Sequence, residues 1–499
     1  MSISSKDQFI AIDLGASGGK MASATFDGET LRIKDYLSFP NTPVKIHQSV
    51  YWDVFDLYKS VISGLKNYGL KNGAAASVGI DSWGATYGFL DHFGRLLEPV
   101  YHYRDNRTKD TMKHISEKIS MKALFEMTGC QCNRTYTLPQ LYSSVLDKDT
   151  SLESADKMLL LPDLLGYFLS GETTTEMTIA GTTALLDSSQ EAWSYNVFNH
   201  FSIPTHFLSP IVDAGTIKGK MTKAIAEETK IGSAKLIATV EHDSAAAVAA
   251  IPGFECGKLY ISIGTNVSMG TMSIHPVISE KAYLAGFKNT GGFGRKKIVY
   301  RDFAAFWILN EMRDEWKHDG IDYSFDELHG FAETATSVHS YIDLESPDLN
   351  SFDGNMLEKM SGYFGDTKQK IPETVGEWTL CLYESIALRV KYYAESLSDV
   401  MSVDFSEAFI INGGSRNVLL DQLISDALQI PVKAGLPYAT LVGNLLVQLY
   451  SQSLVSSEEQ FREVAKKSFP MKEYYPVFQR DWGEELGKAR NKLSLPWLN

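Results

Sequence analysis

Two segments of this 499-residue chain, far apart in the sequence, follow the same pattern. The first is FIAIDLGASGGKMA near the N-terminus, and the second is KLYISIGTNVSMGT just beyond the middle. Each is an apolar run that leads into glycines and small hydroxyl residues and then into a returning segment. Aligning Gly264 with Gly15 places Ser262 on Asp13, so the carboxylate is not repeated. A duplicated fold would produce this pattern and would fix the architecture, although the match taken alone is a weak signal.

The size and composition of the chain favour a globular protein with more than one domain. A chain of 499 residues is too long for a single core. The net charge of -14 disfavours a nucleic-acid or anionic-membrane partner, because such surfaces select clustered Lys and Arg. The N-terminal MSISSKDQF lacks the pattern of a signal peptide, no apolar run reaches membrane length, and four Cys make no disulfide framework. We therefore expect a cytoplasmic protein in a reducing compartment.

The first repeated segment has the features of a phosphate-binding turn. Residues 9–14 and 21–26 read as two strands, and the turn between them, after Gly15, consists of small residues followed by a lysine: Ala16, Ser17, Gly18, Gly19 and Lys20. Small residues let backbone N–H groups approach an oxyanion, and the lysine adds a positive charge. The alternative is a hairpin turn that needs glycine only for its geometry. The spacing does not fit a Walker A loop, and the returning strand does not fit a dinucleotide-binding turn.

Another carboxylate stands where a strand is predicted to end and a helix to begin. Residues 235–240 read as a buried strand, and the Ala-rich residues 244–251 read as a helix that Pro252 and Gly253 end. Asp243 therefore lies at a helix N-terminus, where free N–H groups and the positive end of the helix dipole keep a carboxylate ionised and fixed in direction. On this stretch alone an N-cap is the more frequent explanation, and a catalytic role is the alternative.

A third strand end has side chains that suit a sugar. Residues 76–80 read as a buried strand that leads into Asp81, Ser82, Trp83 and Gly84. A carboxylate accepts hydrogen bonds from hydroxyls, and an aromatic ring covers a sugar face, but a core tryptophan is the better explanation of Trp83 by itself. The hydroxyl-rich residues 173–187 fit either a polar wall for a sugar or a β-rich surface segment.

Hydrophobic periodicity predicts further helices over residues 50–68, 158–169, 377–401, 418–428 and 439–449. A strand over residues 405–412 leads into Gly413 and Gly414, a turn able to accept a flat base or a phosphate at the next helix. The tail from residue 458 onward is predicted to pack on the second domain.

Together these motifs resemble the FGGY family of carbohydrate kinases. FIAIDLGASGGK, VGIDSWGA, YRDNRT, VEHDSAAAVAAIP, ISIGT and IINGGSRN occur in the order of that family, over nearly the whole chain. The resemblance implies an α/β fold of two actin/hexokinase-like (ribonuclease H-type) domains that flank a deep cleft. The first domain, residues 1–247, would bind the sugar and supply the first phosphate turn. The second domain, residues 248–499 with the C-terminal tail, would bind ATP.

The resemblance also implies roles for individual residues. Asp243 corresponds to the catalytic base, and Asp13 to the carboxylate that holds Mg²⁺ through water. The implied sugar contacts are Trp83, Gly84, His242, Asp243, Ser244 and Asp302. The implied ATP contacts are Ala16, Ser17, Gly18, Gly19, Lys20, Gly264, Thr265, Asn310, Gly413, Gly414 and Asn417.

The implied reaction is transfer of the γ-phosphoryl group of ATP to a primary hydroxyl of a ketose, with L-rhamnulose expected as substrate and L-rhamnulose 1-phosphate as product. Ala85, Thr86 and Asp302 depart from the pattern of the family members that act on L-rhamnulose. L-fuculose, xylulose, ribulose or a polyol therefore stay open as substrates. Asn412 and Tyr438 depart from it in the nucleotide region. A non-catalytic sugar or nucleotide sensor is the alternative from another class. We expect a monomer or homodimer with no nucleic-acid or membrane partner.

Overall fold

Two mixed β-sheets, of six and seven strands, organise the chain in this computed structural model, which describes residues 8–351, 354–477, 480–490 and 492–493. The first seven residues, where the sequence shows no leader pattern, and the last six residues of the predicted tail lie outside the described residues. In spatial order the first sheet consists of Ile217–Lys220, Lys235–Ile237, Ser77–Ser82, Gln8–Gly15, Gly18–Phe26 and Leu31–Pro40. The second consists of Lys472–Tyr474, Val432–Ala434, Ala408–Ile411, Leu259–Ile263, Asn266–Ser273, Lys297–Ala304 and Lys288–Gly291.

The two sheets share one topology. In each, the repeated segment forms an antiparallel hairpin, Gln8–Gly15 with Gly18–Phe26 and Leu259–Ile263 with Asn266–Ser273. The first strand of each hairpin also pairs in parallel with a strand from later in the chain. The repeat that is weak in sequence is thus a repeat of sheet order, and the predicted two-domain α/β architecture is confirmed. The boundary between residues 247 and 248 stays a prediction.

Helices cover both sheets, and short strand pairs lie outside them. The strand pairs are Val44–Ile46 with Ser49–Tyr51, Tyr87–Leu90 with Lys157–Leu160, Leu186–Asp187 with Ala192–Trp193, and Ile211–Val212 with Thr175–Glu176. The α-helices are Val54–Asn72, Thr111–Lys118, Met121–Thr128, Thr137–Asp147, Ser151–Ser154, Leu161–Ser170, Met177–Ala180, Tyr195–His200, Lys223–Thr229, Asp243–Ala249, Glu280–Leu284, Phe306–His318, Phe325–Thr334, Met356–Asp366, Val375–Met401, Val418–Leu428, Ala439–Ser451, Glu458–Ser468 and Trp482–Ala489. Among the described residues, no helix is both long and apolar enough to cross a membrane.

Two helices lie between the sheets and join them. Asp243–Ala249 packs against Ala439–Ser451 so closely that a Cβ on Gly443 would lie 1.9 Å from the carbonyl oxygen of Ala246. Their apolar side chains form one core cluster with residues of both sheets. The second helix also reaches the first sheet through polar groups, because Gln448 Nε2 donates to the Ile10 carbonyl at 2.9 Å. Buried polar groups need such partners, and here they fix the two halves against each other.

Two helix predictions need correction. The helix expected over residues 50–68 is Val54–Asn72, and Trp52 precedes it. The single helix expected over residues 158–169 is a strand, Lys157–Leu160, followed by the helix Leu161–Ser170, because the first residues pair with Tyr87–Leu90. A partner strand about 70 residues away decided this conformation, and local periodicity does not contain that information.

The C-terminal tail packs on both halves of the molecule, whereas the sequence predicted the second domain only. The helix Glu458–Ser468 contacts the strand Leu31–Pro40 of the first sheet, where Ser468 Oγ accepts the Leu31 N–H at 2.8 Å. The later helix Trp482–Ala489 packs on Val375–Met401 as expected. The division arises because Phe461 and its apolar neighbours complete the core between the sheets.

Candidate active site

A cavity of about 840 Å³ opens between the two halves and is lined by glycine turns from both. The hairpin turn of the first sheet contributes Gly15, Ser17, Gly18, Gly19 and Lys20. The second sheet contributes Gly264, Thr265, Asn412 and Gly413. Because the two hairpins are equivalent in their sheets, duplication brings their turns to opposite walls of one cavity. We call this space the large cavity.

Close packing explains the glycines of the first turn. A Cβ on Gly18 would lie 2.9 Å from the Phe39 carbonyl oxygen, and one on Gly19 would lie 2.1 Å from the Phe39 ring. A side chain at either position would displace the neighbouring strand. The turn can therefore approach an anion with its backbone N–H groups, as close-approach turns do. Lys20 Nζ, 3.7 Å from Asp13 Oδ2, is the cation of this wall.

Two buried carboxylates lie side by side near the large cavity, and Asp13 is the one that lines it. Asp13 and Asp81 are register partners on neighbouring parallel strands. Burial raises the pKa of Asp13 to about 6, against the opposing charge of Lys20, and burial raises the pKa of Asp81 well above its usual value. Asn444 Nδ2 donates to Asp81 Oδ2 at 2.6 Å, while Asp81 Oδ1 has no partner among the described residues.

Asp243 lines the same cavity from the first turn of its helix. The structure places His242 at the N-cap and makes Asp243 the first helical residue, so the N-cap alternative does not describe it. Its Oδ1 accepts the Ser244 N–H at 2.5 Å and the Ser244 hydroxyl at 3.1 Å. Burial raises the pKa of Asp243 to about 6. At neutral pH the group is ionised, fixed in direction and more basic than an exposed aspartate.

A second, smaller pocket of about 220 Å³ is lined by the residues on either side of Asp243. His242 and Ser244 line it together with Trp83, Gly84 and Asp302, so five predicted sugar contacts meet there. Trp83 packs on Trp52 with ring centroids 4.3 Å apart, and its Nε1 donates to Thr86 Oγ1 at 2.8 Å. Trp83 is thus both a core residue and a wall that offers its ring to the pocket. We call this space the small pocket.

The hydroxyl-rich segment forms a buried wall, as one of its two sequence explanations predicted. Residues 175–183 are buried apart from Thr182, and Thr182 lines the small pocket. Thr182 Oγ1 accepts the Ala85 N–H at 2.9 Å, and a Cβ on Gly84 would lie 2.6 Å from Thr182 Cβ. The β-rich surface alternative is wrong, because most of this segment is buried.

Four predicted ATP contacts do not line the large cavity. Ala16 and Gly414 are adjacent to lining residues, and a Cβ on Gly414 would lie 2.3 Å from Ile263 Cβ. Asn417 caps the helix Val418–Leu428 by accepting the Leu420 N–H. Asn310 lies in the helix Phe306–His318. Their roles toward ATP stay predictions.

Several lining residues escaped the sequence analysis. Tyr438, noted only as a departure, and Arg416 line the large cavity, with the Arg416 guanidinium carbon 5.6 Å from the Tyr438 ring centre. Tyr36 lies against Tyr438 from the other half, with ring centroids 5.2 Å apart. In the small pocket the missed residues include Tyr103, Tyr136, Lys288, Asn289 and Tyr300. Tyr103 and Arg416 lie within YRDNRT and IINGGSRN, but the sequence analysis gave them no role.

Comparisons with known proteins agree with this geometry. Two similar sheets that each send a glycine turn into one cleft are typical of proteins with the two-domain actin/hexokinase-like fold. The models for the N- and C-terminal domains of the FGGY family of carbohydrate kinases match residues 8–250 and 259–452. The chain therefore belongs to the FGGY family of carbohydrate kinases.

Individual relatives cover nearly the whole chain. It is 31% identical over 479 residues to the rhamnulokinase of Bacteroides thetaiotaomicron, which spans 96% of this chain and 97% of that protein. It is 30% identical over 468 residues to the rhamnulokinase of Bacillus subtilis, at 94% and 95% coverage. Solved structures of a Lactobacillus acidophilus xylulose kinase (TM-score 0.79, 14% identity, 97% and 96% coverage) and a Plasmodium falciparum glycerol kinase with ADP (0.80, 15%, 98% and 97%) share the fold.

Kinases of this family use ATP with a divalent metal, generally Mg²⁺. The described residues hold no group of three or more metal-ligating side chains, so a cage made only of protein ligands is absent from that part of the chain. Mg²⁺ usually keeps several waters and uses one or two carboxylates, and Asp13, which lines the large cavity, fits that preference.

Proposed function

We propose that this chain is an ATP-dependent kinase that converts L-rhamnulose to L-rhamnulose 1-phosphate. The observation that carries the proposal is the position of Asp243, which faces the large cavity while His242 and Ser244 line the small pocket. A group at this junction can touch both a phosphate and a sugar hydroxyl. The rhamnulokinases among the relatives support L-rhamnulose as the sugar. Four free cysteines, three of them buried, support a reducing compartment, and we place the reaction in the cytoplasm.

Asp243 is the proposed general base. As the primary hydroxyl of the ketose attacks the γ-phosphorus, Asp243 accepts its proton. A base with a pKa of about 6 is ionised at neutral pH yet takes up a proton more readily than an exposed aspartate. The two hydrogen bonds from Ser244 to Oδ1 fix the carboxylate and leave Oδ2 for the substrate.

The glycine turns and Lys20 are the proposed phosphate contacts. The transition state of phosphoryl transfer is loose, so positioning and neutralisation of charge supply most of the catalysis. Gly18 and Gly264 line the cavity, and Lys20 adds a charge on the side of Asp13. Mg²⁺ bound with ATP, held through water by Asp13, would offset the charge of the phosphates.

The departures near Trp83 differ in their significance for the substrate. The Thr86 hydroxyl is engaged by Trp83, and Thr86 lies outside the lining of the small pocket. Ala85 lines the pocket, while its N–H is held by Thr182. Asp302 places a carboxylate directly in the pocket. The argument for L-fuculose, xylulose or ribulose as the substrate therefore depends mainly on Asp302.

A coupled assay of ADP release tests the proposal with L-rhamnulose, L-fuculose, D-xylulose, L- and D-ribulose, glycerol and erythritol. We expect L-rhamnulose to have the highest kcat/KM. The variant Asp243→Asn should bind ATP but lose at least ~10²-fold in kcat, the size of general-base contributions. Asp53→Asn makes the same change at another helix start and should behave as wild type. If the protein turns over none of these sugars, the kinase proposal fails and a non-catalytic sensor becomes the better explanation.

A further inference from the structure

The small pocket contains an ion pair that the proposed chemical step does not use. Lys288 Nζ lies 2.6 Å from Asp302 Oδ2, and the side chain of Lys288 is 18% exposed while that of Asp302 is 37% exposed. Exposed ion pairs contribute little to stability, and a pair taken out of water costs desolvation energy. Because stability does not explain a charged pair at the wall of a binding pocket, a role of this pair in binding is the alternative.

The pair is held by the sheet rather than by a flexible loop. Lys288 lies on the strand Lys288–Gly291, directly opposite Tyr300 on the antiparallel strand Lys297–Ala304. Asp302 is two residues beyond Tyr300, so it is the diagonal neighbour of Lys288 on the same face. The ammonium also lies 4.7 Å from the Tyr300 ring centre, in a cation–π contact. Two strands thus fix the positions of donor and acceptor.

The pair retains unused hydrogen-bonding capacity. An ammonium has three donors, and one of them is directed at Asp302. Asp302 Oδ1 accepts no hydrogen bond within the part of the chain that the structure describes. One site therefore offers a donor and an acceptor side by side. Neighbouring oxygens of a sugar match this arrangement, because one hydroxyl can accept from Lys288 while the next donates to Asp302.

The charges of the pocket favour an uncharged ligand. Lys288 and Asp302 neutralise each other, and burial together with Lys288 lowers the pKa of His242 to about 4, so His242 is neutral at pH 7. A sugar acid would compete with Asp302 for the ammonium, and a basic sugar would compete with Lys288 for the carboxylate. A neutral polyhydroxylated sugar satisfies both groups without breaking the pair.

We infer that Lys288, acting as a pair with Asp302, is a specificity-determining residue that binds two neighbouring oxygens of the ketose other than the one that is phosphorylated. This inference rests on the proposed function. The pair comes from the second half of the chain, whereas Gly84 and Thr182 come from the first. Sugar recognition therefore uses both halves and is not confined to the first domain.

The test compares Lys288→Met, Asp302→Asn and the double variant with wild type, using the sugar that wild type phosphorylates best. Loss of a charged hydrogen bond to substrate should raise the KM for the sugar about 10- to 100-fold in Lys288→Met. The kcat and the KM for ATP should change less than about threefold. Asp302→Asn should have a much smaller effect in the Lys288→Met background than in wild type, because coupled residues are not additive. Lys281→Met, which removes an exposed pair with Asp399, is the matched control.

Each outcome decides the inference. An unchanged KM for the sugar in Lys288→Met, with a lowered melting temperature, would show a purely structural pair and overturn it. Additive effects of the two single variants would overturn the role as a pair. If wild type turns over no sugar, the proposed function fails and the shift of melting temperature with each sugar becomes the measurement. A shift abolished by Lys288→Met would then support the inference, and a shift unchanged by it, or absent in wild type, would overturn it.

Discussion

Glu176 accepts the backbone N–H of Glu241 at 3.2 Å, and so holds the segment that leads to Asp243. Thr178, which Glu176 also binds, accepts the His242 N–H at 3.2 Å. Lys218 Nζ lies 2.5 Å from Asp163 and 2.7 Å from Glu241. The network therefore contains one lysine and the three carboxyl groups of Asp163, Glu176 and Glu241. A buried polar network behind the junction of the two pockets fixes where the proposed base points.

Lys218→Met should destabilise the protein strongly. Burial alone would lower the pKa of Lys218, but Asp163 and Glu241 overcome that effect and raise it, so the lysine is charged. Removing it leaves two carboxyl groups buried without their cation, which costs about 3–5 kcal/mol. Urea unfolding measures the loss. Lys223→Met, at an exposed pair with Glu227, should change stability by less than about 0.5 kcal/mol. Equal stability of the two variants would contradict the structure.

The activity should fall as pH decreases through about 6. Burial raises the pKa values of both Asp13 and Asp243 to about 6, and each must be ionised for its proposed role. Their ionised fractions fall together below that pH, so kcat/KM should decline more steeply than for one proton. His242, with a pKa lowered to about 4 by burial, does not contribute between pH 5 and 8. A flat profile from pH 5 to 7 would rule out Asp243 as the base.

Two adjacent glycines should respond differently to alanine. A Cβ on Gly413 has only the Ile263 carbonyl oxygen nearby, at 3.8 Å, whereas one on Gly414 would lie 2.3 Å from Ile263 Cβ. Gly413→Ala should keep wild-type stability and raise the KM for ATP about tenfold, equivalent to about 1.4 kcal/mol. Gly414→Ala should lose about 1–3 kcal/mol of stability through overpacking. Thermal unfolding measures the loss of stability, and ATP titration measures the loss of binding. A loss of stability in Gly413→Ala with a loss of ATP binding in Gly414→Ala would show that Gly413 is not the residue at the cavity wall.

Asp421→Asn should remove a pH dependence of stability that is remote from the active site. Burial raises the pKa of Asp421 in the folded protein to about 8, against a value of 3.8 in the unfolded chain. The folded state thus binds the proton more tightly, and its stability falls as pH rises from about 4 to 8, by at most about 1.4 kcal/mol per pH unit. The melting temperature at pH 5.5 and pH 8 should differ less in the variant. Exposed Asp404→Asn is the control and should keep the wild-type difference.

Features encoded within a dozen residues could be predicted from the sequence. A buried strand followed by a glycine turn and a returning strand gave the first hairpin, and its counterpart at Gly264 gave the second. Asp243 was found because a strand, a carboxylate and an Ala-rich helix follow one another directly. The N-cap alternative failed because His242 occupies the cap, a shift of one residue that propensities do not resolve.

Features that depend on distant partners could not be predicted in this way. The strand Lys157–Leu160 looked helical because its partner, Tyr87–Leu90, lies far away in the sequence. In the sequence Thr182 is one of several hydroxyl residues in its segment, and only the fold places it against Gly84. Lys288 carried no signal at all, since only the pairing of its strand with Lys297–Ala304 brings it to Asp302.

By itself the sequence determined the two glycine turns and the carboxylate that begins the helix Asp243–Ala249, because each is a short pattern whose physical requirement is local. It indicated the duplication only weakly, and the two-domain α/β plan came from the resemblance to a family. Only the tertiary structure decided that the turns face one cavity, that His242 and Ser244 belong to a second pocket, and that Lys288 pairs with Asp302. Those relationships depend on sheet register and on the packing of the helix Ala439–Ser451 between the sheets. Most of these contacts join segments that are far apart in the sequence, so they arise from the whole core and no single segment specifies them.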